Sequence, residues 1–293
     1  MNLEGIVLSR YSSFYYVQFE NVIWECRLRG KHRLKKNNDV IAGDRVEFTK
    51  TGENKGVIEE IKARKTELYR PAIANVSQLL IVISLKAPNP NWVLLDRLLV
   101  LGAYSNLELL IAFNKADLVD DDSILLAKEY GKIGYKTVFT SAVEKRGIDE
   151  LQGLLNNEIT VLAGLSGVGK SSLINALEPG LSLKIGEVST KMETGKHTTR
   201  YVQLLPLSGG GLIADTPGFS RLYLPTDMKR EELRFLFPEM AEIQHDCKFS
   251  SCLHKQEPGC KVRENVELGL LPKWRYDNYL EFLEEIIAQE RKF

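Results

Sequence analysis

Lysine plus arginine and aspartate plus glutamate number 39 each in this 293-residue chain, so it lacks net charge of either sign. That excludes a protein that coats polyanions through bulk positive charge, and any basic surface has to be local. Long hydrophobic runs are missing too: no stretch reaches the roughly 18 apolar residues that a membrane-spanning helix needs. The N-terminal "MNLEGIVLSRYSSF" has no basic segment leading into an apolar one, so no export signal is read and a cytoplasmic protein is expected. Cysteine is scarce and unevenly placed. Of the four, Cys26 stands alone and three fall between Cys247 and Cys260, which without an export signal points to metal before disulfides. Internal repeats and low-complexity segments are also absent, and the length suggests two or three domains.

What is present changes character twice along the chain. From Gly5 to about Leu68, short alternating segments ("GIVLSR", "FYYVQF", "VIWECRL", "DRVEF", "GVIEEI") are separated by glycine, asparagine and charged turns. Five such strands predict an OB-like β-barrel over residues 1–68. From "QLLIVISL" onward, continuous apolar strands alternate with helices, which predicts a parallel α/β sheet covered on both faces over residues 69–225. Beyond Pro225 the strands stop. "KREELRFLF" reads as a helix, the cysteines as a loop, and "PKWRYDNYLEFLEEIIAQERK" as a helix with Trp274, Leu280, Leu283 and Ile287 on one face, giving a small third domain over 226–293.

Gly164, Gly169, Lys170 and Ser171 match the pattern glycine, four residues, glycine, lysine, serine, placed after an apolar strand and before a helix. In that setting the backbone N–H groups of Gly164, Ser166, Gly167, Val168, Gly169, Lys170, Ser171 and Ser172 are candidates to surround phosphate oxygens. Lys170 would reach the terminal phosphates and the Ser171 hydroxyl would hold Mg²⁺. The base is chosen by "NKAD". The Asp117 carboxylate can accept from the N1–H and exocyclic amine of guanine, whereas adenine presents no such donor pair and would leave the carboxylate unpaired. Asn114 would bond the other base edge, Lys115 pack along it, and Ser141 and Ala142 offer backbone to the guanine carbonyl.

"DTPG", Asp215 to Gly218, closes another apolar strand where an aspartate meets Mg²⁺ through water and a glycine N–H meets the γ-phosphate. Thr199, in preference to Thr198 of "GKHTTR", is the candidate switch hydroxyl for Mg²⁺. Phe219 follows Gly218 where a water-orienting glutamine would often stand, so intrinsic hydrolysis should be slow; His197 is the candidate catalytic substitute, with an exposed loop histidine the competing reading. Cys247, Cys252, His254 and Cys260 supply three thiolates and an imidazole in fourteen residues, a closed set for one structural Zn²⁺. Two basic stretches, Arg27–Lys36 and "EIKARKTELYR", lie in or beside the barrel near Tyr15, Tyr16 and Trp24, which suits contact with nucleic acid or merely a solvated face.

Taken in order, "NKAD", "SA", the phosphate loop, "HTT", "DTPG" and the Cys/Cys/His/Cys set resemble the circularly permuted GTPases. The resemblance is closest to the ribosome small-subunit-dependent GTPase A family, RsgA or YjeQ, and spans essentially the whole chain. It implies a barrel, a permuted GTPase domain and a zinc domain, and a Mg²⁺-dependent GTPase stimulated by the small (30S) ribosomal subunit. Such a GTPase would contact 16S rRNA and assist late assembly. A monomer is expected, with GTP and GDP as ligands and neither membrane nor DNA as partner. The alternative reading is a guanine-nucleotide-dependent rRNA-binding module whose turnover is incidental.

Overall fold

The computed structural model describes residues 2–30, 39–69, 72–119, 121–179, 202–215 and 223–291. The first five strands, β1 (Asn2–Tyr11), β2 (Phe14–Phe19), β3 (Val22–Leu28), β4 (Arg45–Gly52) and β5 (Lys55–Ile61), close a barrel in the order β1-β2-β3-β5-β4. Closure comes from β1, which pairs antiparallel with both β2 and β4, while β3 and β5 run parallel. This is the expected OB-type barrel, and its strand alternation settles a point that composition leaves open. Tyr15, Val17, Trp24 and Cys26 point inward with Val46, Phe48 and Ile58. Tyr15 is 5% exposed and Trp24 6%, so neither ring is a stacking platform for bases. The side-chain period of two puts Tyr16, not Tyr15, on the outer side.

Two cations of the second basic stretch, Lys62 and Arg64, are engaged within the protein, while Lys65 is exposed and Arg70 lies outside the described residues. Lys62 pairs with Glu47 and Glu60, and Arg64 is held by the fully buried Asp44 carboxylate and by Glu67, which keep its guanidinium well above the usual range. Arg64 also donates to the Asp39 carbonyl at 2.7 Å. Of the Arg27–Lys36 loop, residues 31–36 lie outside the described residues.

A short hairpin that the sequence reading passes over, β6 (Glu67–Tyr69) with β7 (Ala72–Ala74), joins barrel to sheet. Its Ala74 N–H donates to the Ala42 carbonyl at 2.8 Å and the Asn75 amide donates to the Gly43 carbonyl at 2.9 Å. Leu8 and Ala42 of the barrel share one core with the sheet residues beyond it.

The central sheet has the order β10-β9-β8-β11-β13-β12: β8 (Gln78–Ser84), β9 (Glu108–Asn114), β10 (Lys136–Phe139), β11 (Ile159–Ala163), β12 (Leu204–Pro206) and β13 (Leu212–Asp215). All pairings are parallel except β12 with β13. Every residue of β8 and of β11 is buried, because both faces are covered. Odd positions of β8 pack with α1 (Trp92–Tyr104) and α2 (Asp121–Ile133); even positions pack with α3 (Ile148–Leu155) and α4 (Lys170–Leu177). The chain runs outward from β8 through β9 to β10, returns to lay β11 against the other side of β8, and then continues away in the opposite direction. Strand order therefore reverses at β8/β11, and the crevice beyond the strand ends there is where an α/β sheet receives a ligand.

After β13 come α5 (Arg230–Leu233), α6 (Pro238–Ala241), α7 (Lys261–Glu267) and α8 (Lys273–Glu290). The helix expected over "KREELRFLF" is a single turn: Arg234 leaves it to donate from Nη1 to the Ser250 and Cys252 carbonyls at 2.8 and 3.0 Å. The long C-terminal helix forms, but its buried face is rotated from the expected one. Arg275, Asn278, Tyr279, Phe282, Leu283, Ile286 and Ile287 face inward, and Trp274 and Leu280 are only half-buried.

Arg275, 1% exposed, is the reason. It donates to Asp96 of α1 and to Glu239 of α6, each at 2.6 Å, and to the Tyr135 hydroxyl at 3.1 Å, while Tyr130 and Asn278 also donate to Asp96. A polar face of α8 is thus buried against the sheet's own helices. Val100 of α1 sits in the same apolar cluster as Phe237, Phe282 and Cys252, so the C-terminal region and the sheet are packed together. No helix among the described residues is long and apolar enough to cross a membrane.

Candidate nucleotide site and candidate metal centre

The phosphate-loop residues connect β11 to α4 in a conformation that needs glycine. Gly164 has φ +139° and a Cβ there would lie 2.3 Å from the Val82 carbonyl oxygen; Gly169 has φ +96° and a Cβ would lie 2.4 Å from Asn114 Nδ2. The second clash records a contact across the site: the reader strand and the phosphate loop touch. Asn114, 2% exposed at the end of β9, donates from Nδ2 to the Val168 carbonyl at 2.9 Å and accepts at Oδ1 from Thr140 at 3.1 Å. Lys115, in the left-handed region at φ +60°, donates to the Gly167 carbonyl at 2.8 Å and to the Ala87 carbonyl. Two segments whose contacts span 52 and 54 residues of chain, written in reverse order, meet at one corner.

The remaining candidates take the following places. Asp117 is half-buried in a short 3₁₀ turn beside Lys115 and accepts no hydrogen bond from a described residue. Ser141, fully buried, exchanges backbone hydrogen bonds with Arg146 at 3.0 and 3.1 Å and caps the Glu144 N–H, while Ala142 follows it half-buried. The Ala116 N–H donates to the Thr140 carbonyl at 3.1 Å, tying the "NKAD" turn to "SA". Lys170 folds back so that Nζ donates to the Gly164 and Leu165 carbonyls at 2.9 and 2.8 Å, at the mouth of the loop. Ser166, Gly167, Ser171 and Ser172 are exposed; Val168 is buried. Asp215 ends β13 paired with Leu162, one residue short of the end of β11. Its side chain, together with Thr199, His197 and Gly218, lies outside the described residues. Thr140 and the Ala87 carbonyl were missed from sequence. "TSA" offered a signal for the first, whereas a carbonyl in the "KAPN" loop offered none.

The four metal candidates converge. Their ligand atoms all lie within 4.8 Å of one another, with His254 Nδ1 at 3.7 Å from the Cys247 sulfur and 3.4 Å from the Cys260 sulfur. Tetrahedral Zn²⁺ places sulfur and nitrogen ligands about 3.5 Å apart, so the set fits that ion. Burial, with the Arg234 charge, lowers His254 to about 4, leaving the neutral imidazole that a metal requires. Burial pushes the Cys252 thiol up to about 12 and raises Cys260 as well, so thiolates at these two positions call for a cation beside them. The Lys261 and Arg263 N–H groups point at the Cys247 and Cys260 sulfurs at 3.3 and 3.5 Å, favouring the thiolate form. Around the set, Glu257 accepts from three consecutive-turn N–H groups, of Leu253, Lys255 and Gln256, and Tyr276 and Tyr279 of α8 donate to the His254 and Leu253 carbonyls. Stripping the metal is therefore expected to loosen the tyrosine side of α8. A chelator, or Cys252→Ser, should lower the melting temperature by on the order of 5–10 °C together with loss of zinc in elemental analysis.

Comparison with known proteins gives the lineage. A family model described as the RsgA GTPase matches residues 61–225, and one described as the RsgA N-terminal domain matches residues 4–58. The chain belongs to the RsgA GTPase family. It is 50% identical to the small ribosomal subunit biogenesis GTPase RsgA of Moorella thermoacetica, over 99% of this chain and 100% of that protein. Among solved structures it is similar to YjeQ from Thermotoga maritima, with a TM-score of 0.83, 39% identity and 98% and 99% of the two chains covered. It is equally similar to YloQ, described as a circularly permuted GTPase, with a TM-score of 0.83, 38% identity and 99% and 96% coverage. The last description agrees with the strand order: the reader strand β9 precedes the phosphate-loop strand β11 in the chain while both end at one corner.

Proposed function

We propose that this GTPase binds the small ribosomal subunit through 16S rRNA, hydrolyses GTP when the subunit stimulates it, and assists late maturation. The observation that carries the nucleotide reading is the Asn114–Val168 and Lys115–Gly167 junction, which joins a guanine reader to a phosphate loop in a chain of this family. In it, Asp117 reads the N1–H and amine of guanine, Ser141 and Ala142 offer backbone to its carbonyl, and the N–H groups from Gly164 to Ser172 receive the phosphates. Lys170 exchanges its two loop carbonyls for phosphate oxygens, which costs little because both partners are acceptors at hydrogen-bond distance. Ser171, exposed at the start of α4, and Thr199 would hold Mg²⁺, whose charge offsets that of the β- and γ-phosphates. Asp215 and Gly218 address the metal's water and the γ-phosphate, and His197 orients the attacking water.

Residues 1–68 serve as the rRNA-contacting barrel, 69–225 as the GTPase and 226–293 as the zinc domain, acting as a monomer in the cytoplasm. With Tyr15 and Trp24 inside the barrel, its RNA contact is electrostatic, through Arg27 and the loop that follows; the Arg27 guanidinium lies over the Phe14 ring at 4.7 Å. Co-sedimentation with purified small subunits tests the partner: retention with a non-hydrolysable GTP analogue and release with GDP is the expected result. Equal retention with both, at an unchanged turnover rate, would favour a binding module over a stimulated enzyme. Within the stimulated reaction, a His197→Ala variant as active as wild type would remove His197 from the mechanism.

A further inference from the structure

The barrel meets the rest of the molecule at a turn into which only glycine fits. Gly43, just before β4, has φ +89°, and a Cβ there would lie 2.0 Å from the Ala74 carbonyl oxygen of the β6–β7 hairpin. Asn75, itself at φ +56°, donates from Nδ2 to the Gly43 carbonyl at 2.9 Å and accepts at Oδ1 from the Lys65 N–H at 2.8 Å. The turn is also fixed to the barrel. The Gly43 N–H donates to the Val7 carbonyl at 2.8 Å, the Val7 N–H to the Asp44 carbonyl at 2.9 Å, and the Asp44 carboxylate accepts from the Ile41 N–H at 2.8 Å. On the other side, only Val76 and Ser77 separate Asn75 from β8. The Val82 carbonyl of β8 lies against Gly164, and Leu85 just beyond the strand donates its N–H to the Asn114 carbonyl at 3.0 Å. Beside this lock the two parts are not close-packed: a cavity of about 350 Å³ lies between Gly5, Gln18 and Arg45 of the barrel and the β12–β13 turn at Gly210.

We infer that Gly43 and Asn75 are positioning residues for subunit-stimulated hydrolysis: they set the barrel at one orientation to the nucleotide corner, so that a subunit held by the barrel is in register with the site it stimulates. This rests on the proposed subunit-stimulated GTPase. A barrel free to swivel would have to be oriented anew in each encounter, and that ordering is subtracted from the affinity for a partner that touches both parts. The hydrogen bonds of both residues stay within the barrel and the segment that joins it to the sheet, so capture and hydrolysis of GTP by the isolated chain do not depend on them.

The test uses the full chain, with GTP turnover titrated against purified small subunits, GDP affinity and thermal melting. Alongside these, the distance distribution is measured between spin labels carried by unnatural amino acids at two exposed positions, Ile23 of β3 and Leu125 of α2. Asn75→Asp keeps the acceptor for Lys65 but turns a carboxylate oxygen toward the Gly43 carbonyl; Asn75→Gly keeps the positive φ and removes both bonds. In either variant the subunit concentration for half-maximal stimulation is expected to rise about tenfold, and a single narrow label distance to become broad. The saturated rate, the unstimulated rate and GDP affinity should stay within about twofold of wild type. Gly43→Ala should do the same; should it melt early, the two Asn75 variants carry the test. Wild-type half-saturation in both Asn75 variants overturns the inference, as does a wild type whose label distances are already as broad as the variants'. So does a loss confined to Asn75→Asp, which would assign the effect to the added charge, or a fall in the saturated rate at unchanged half-saturation. A wild type that subunits do not stimulate would count against the proposed function, while the label distances would still decide whether the barrel is locked.

Discussion

Asp117→Asn is expected to lower kcat/KM for GTP by about a hundredfold to a thousandfold and to raise it for the xanthosine triphosphate. In the proposed site the carboxylate accepts two donors from guanine. An asparagine in its place turns an NH₂ toward the guanine amine, donor against donor, whereas xanthine presents a carbonyl oxygen there and restores the pair. Asp117 is half-buried in a turn fixed from either side by Lys115 and by the Ala116–Thr140 hydrogen bond, and it accepts nothing from a described residue. The variant should therefore fold and melt like wild type, which separates loss of recognition from loss of structure. Steady-state turnover with the two nucleotides, and with ATP as a third, checks it. Unchanged GTP use would make Asp117 a structural residue and reopen the choice of base.

The second large effect is on stability. Arg275→Met removes the one cation among the described residues that pairs with Asp96, which is 0% exposed, and Glu239, whose side chain is 8% exposed. Breaking such a set from one side leaves carboxylates buried without compensation and should cost about 3–5 kcal/mol, measured by chemical denaturation. A methionine fills much of the volume, so the loss reports charge more than cavity. Burial would lower the Arg275 guanidinium, but Asp96, Tyr135 and Glu239 hold it well above its ordinary value, so in wild type the guanidinium stays charged at any accessible pH.

Burial already raises the Asp96 carboxyl in wild type against the pull of Arg275, Asn278 and Tyr130, and removing Arg275 takes away the first of those opposing causes, so the variant's carboxyl lies higher still. A carboxyl with a raised folded-state pKa stabilises the fold when protonated, a contribution present at low pH and lost as pH rises through that pKa. The deficit relative to wild type should therefore be largest near neutrality and shrink on acidification. A deficit that does not depend on pH would mean that packing, not charge, is what Arg275 supplies.

These two residues mark what could be read from sequence and what could not. The phosphate loop, the reader and the zinc set are contiguous motifs whose chemistry is local: glycine where φ is positive, a carboxylate where two donors arrive, thiols spaced for one ion. The barrel was legible from alternation, although the phase of that alternation decides whether Tyr15 or Tyr16 faces water. Only closure of the β1-β2-β3-β5-β4 ring settles it. Arg275 was invisible because its partners sit at positions 96, 135 and 239, and a helix read for its apolar stripe offers no reason to bury a guanidinium. The same long-range logic hid the Ala87 carbonyl, which meets Lys115.

The permuted order acquires a physical meaning from these contacts. Among the described residues β13 is the last strand of the sheet in the chain, and the C-terminal helix α8 is held against α1 by the Asp96–Arg275 and Arg97–Glu285 pairs.

Multiple-turnover GTP hydrolysis by the full chain with Mg²⁺, in the presence and absence of purified small ribosomal subunits, is the most direct measurement. Slow turnover by the isolated chain and stimulation on the order of a hundredfold by the subunit is the expected result. Equal rates with and without the subunit would contradict it.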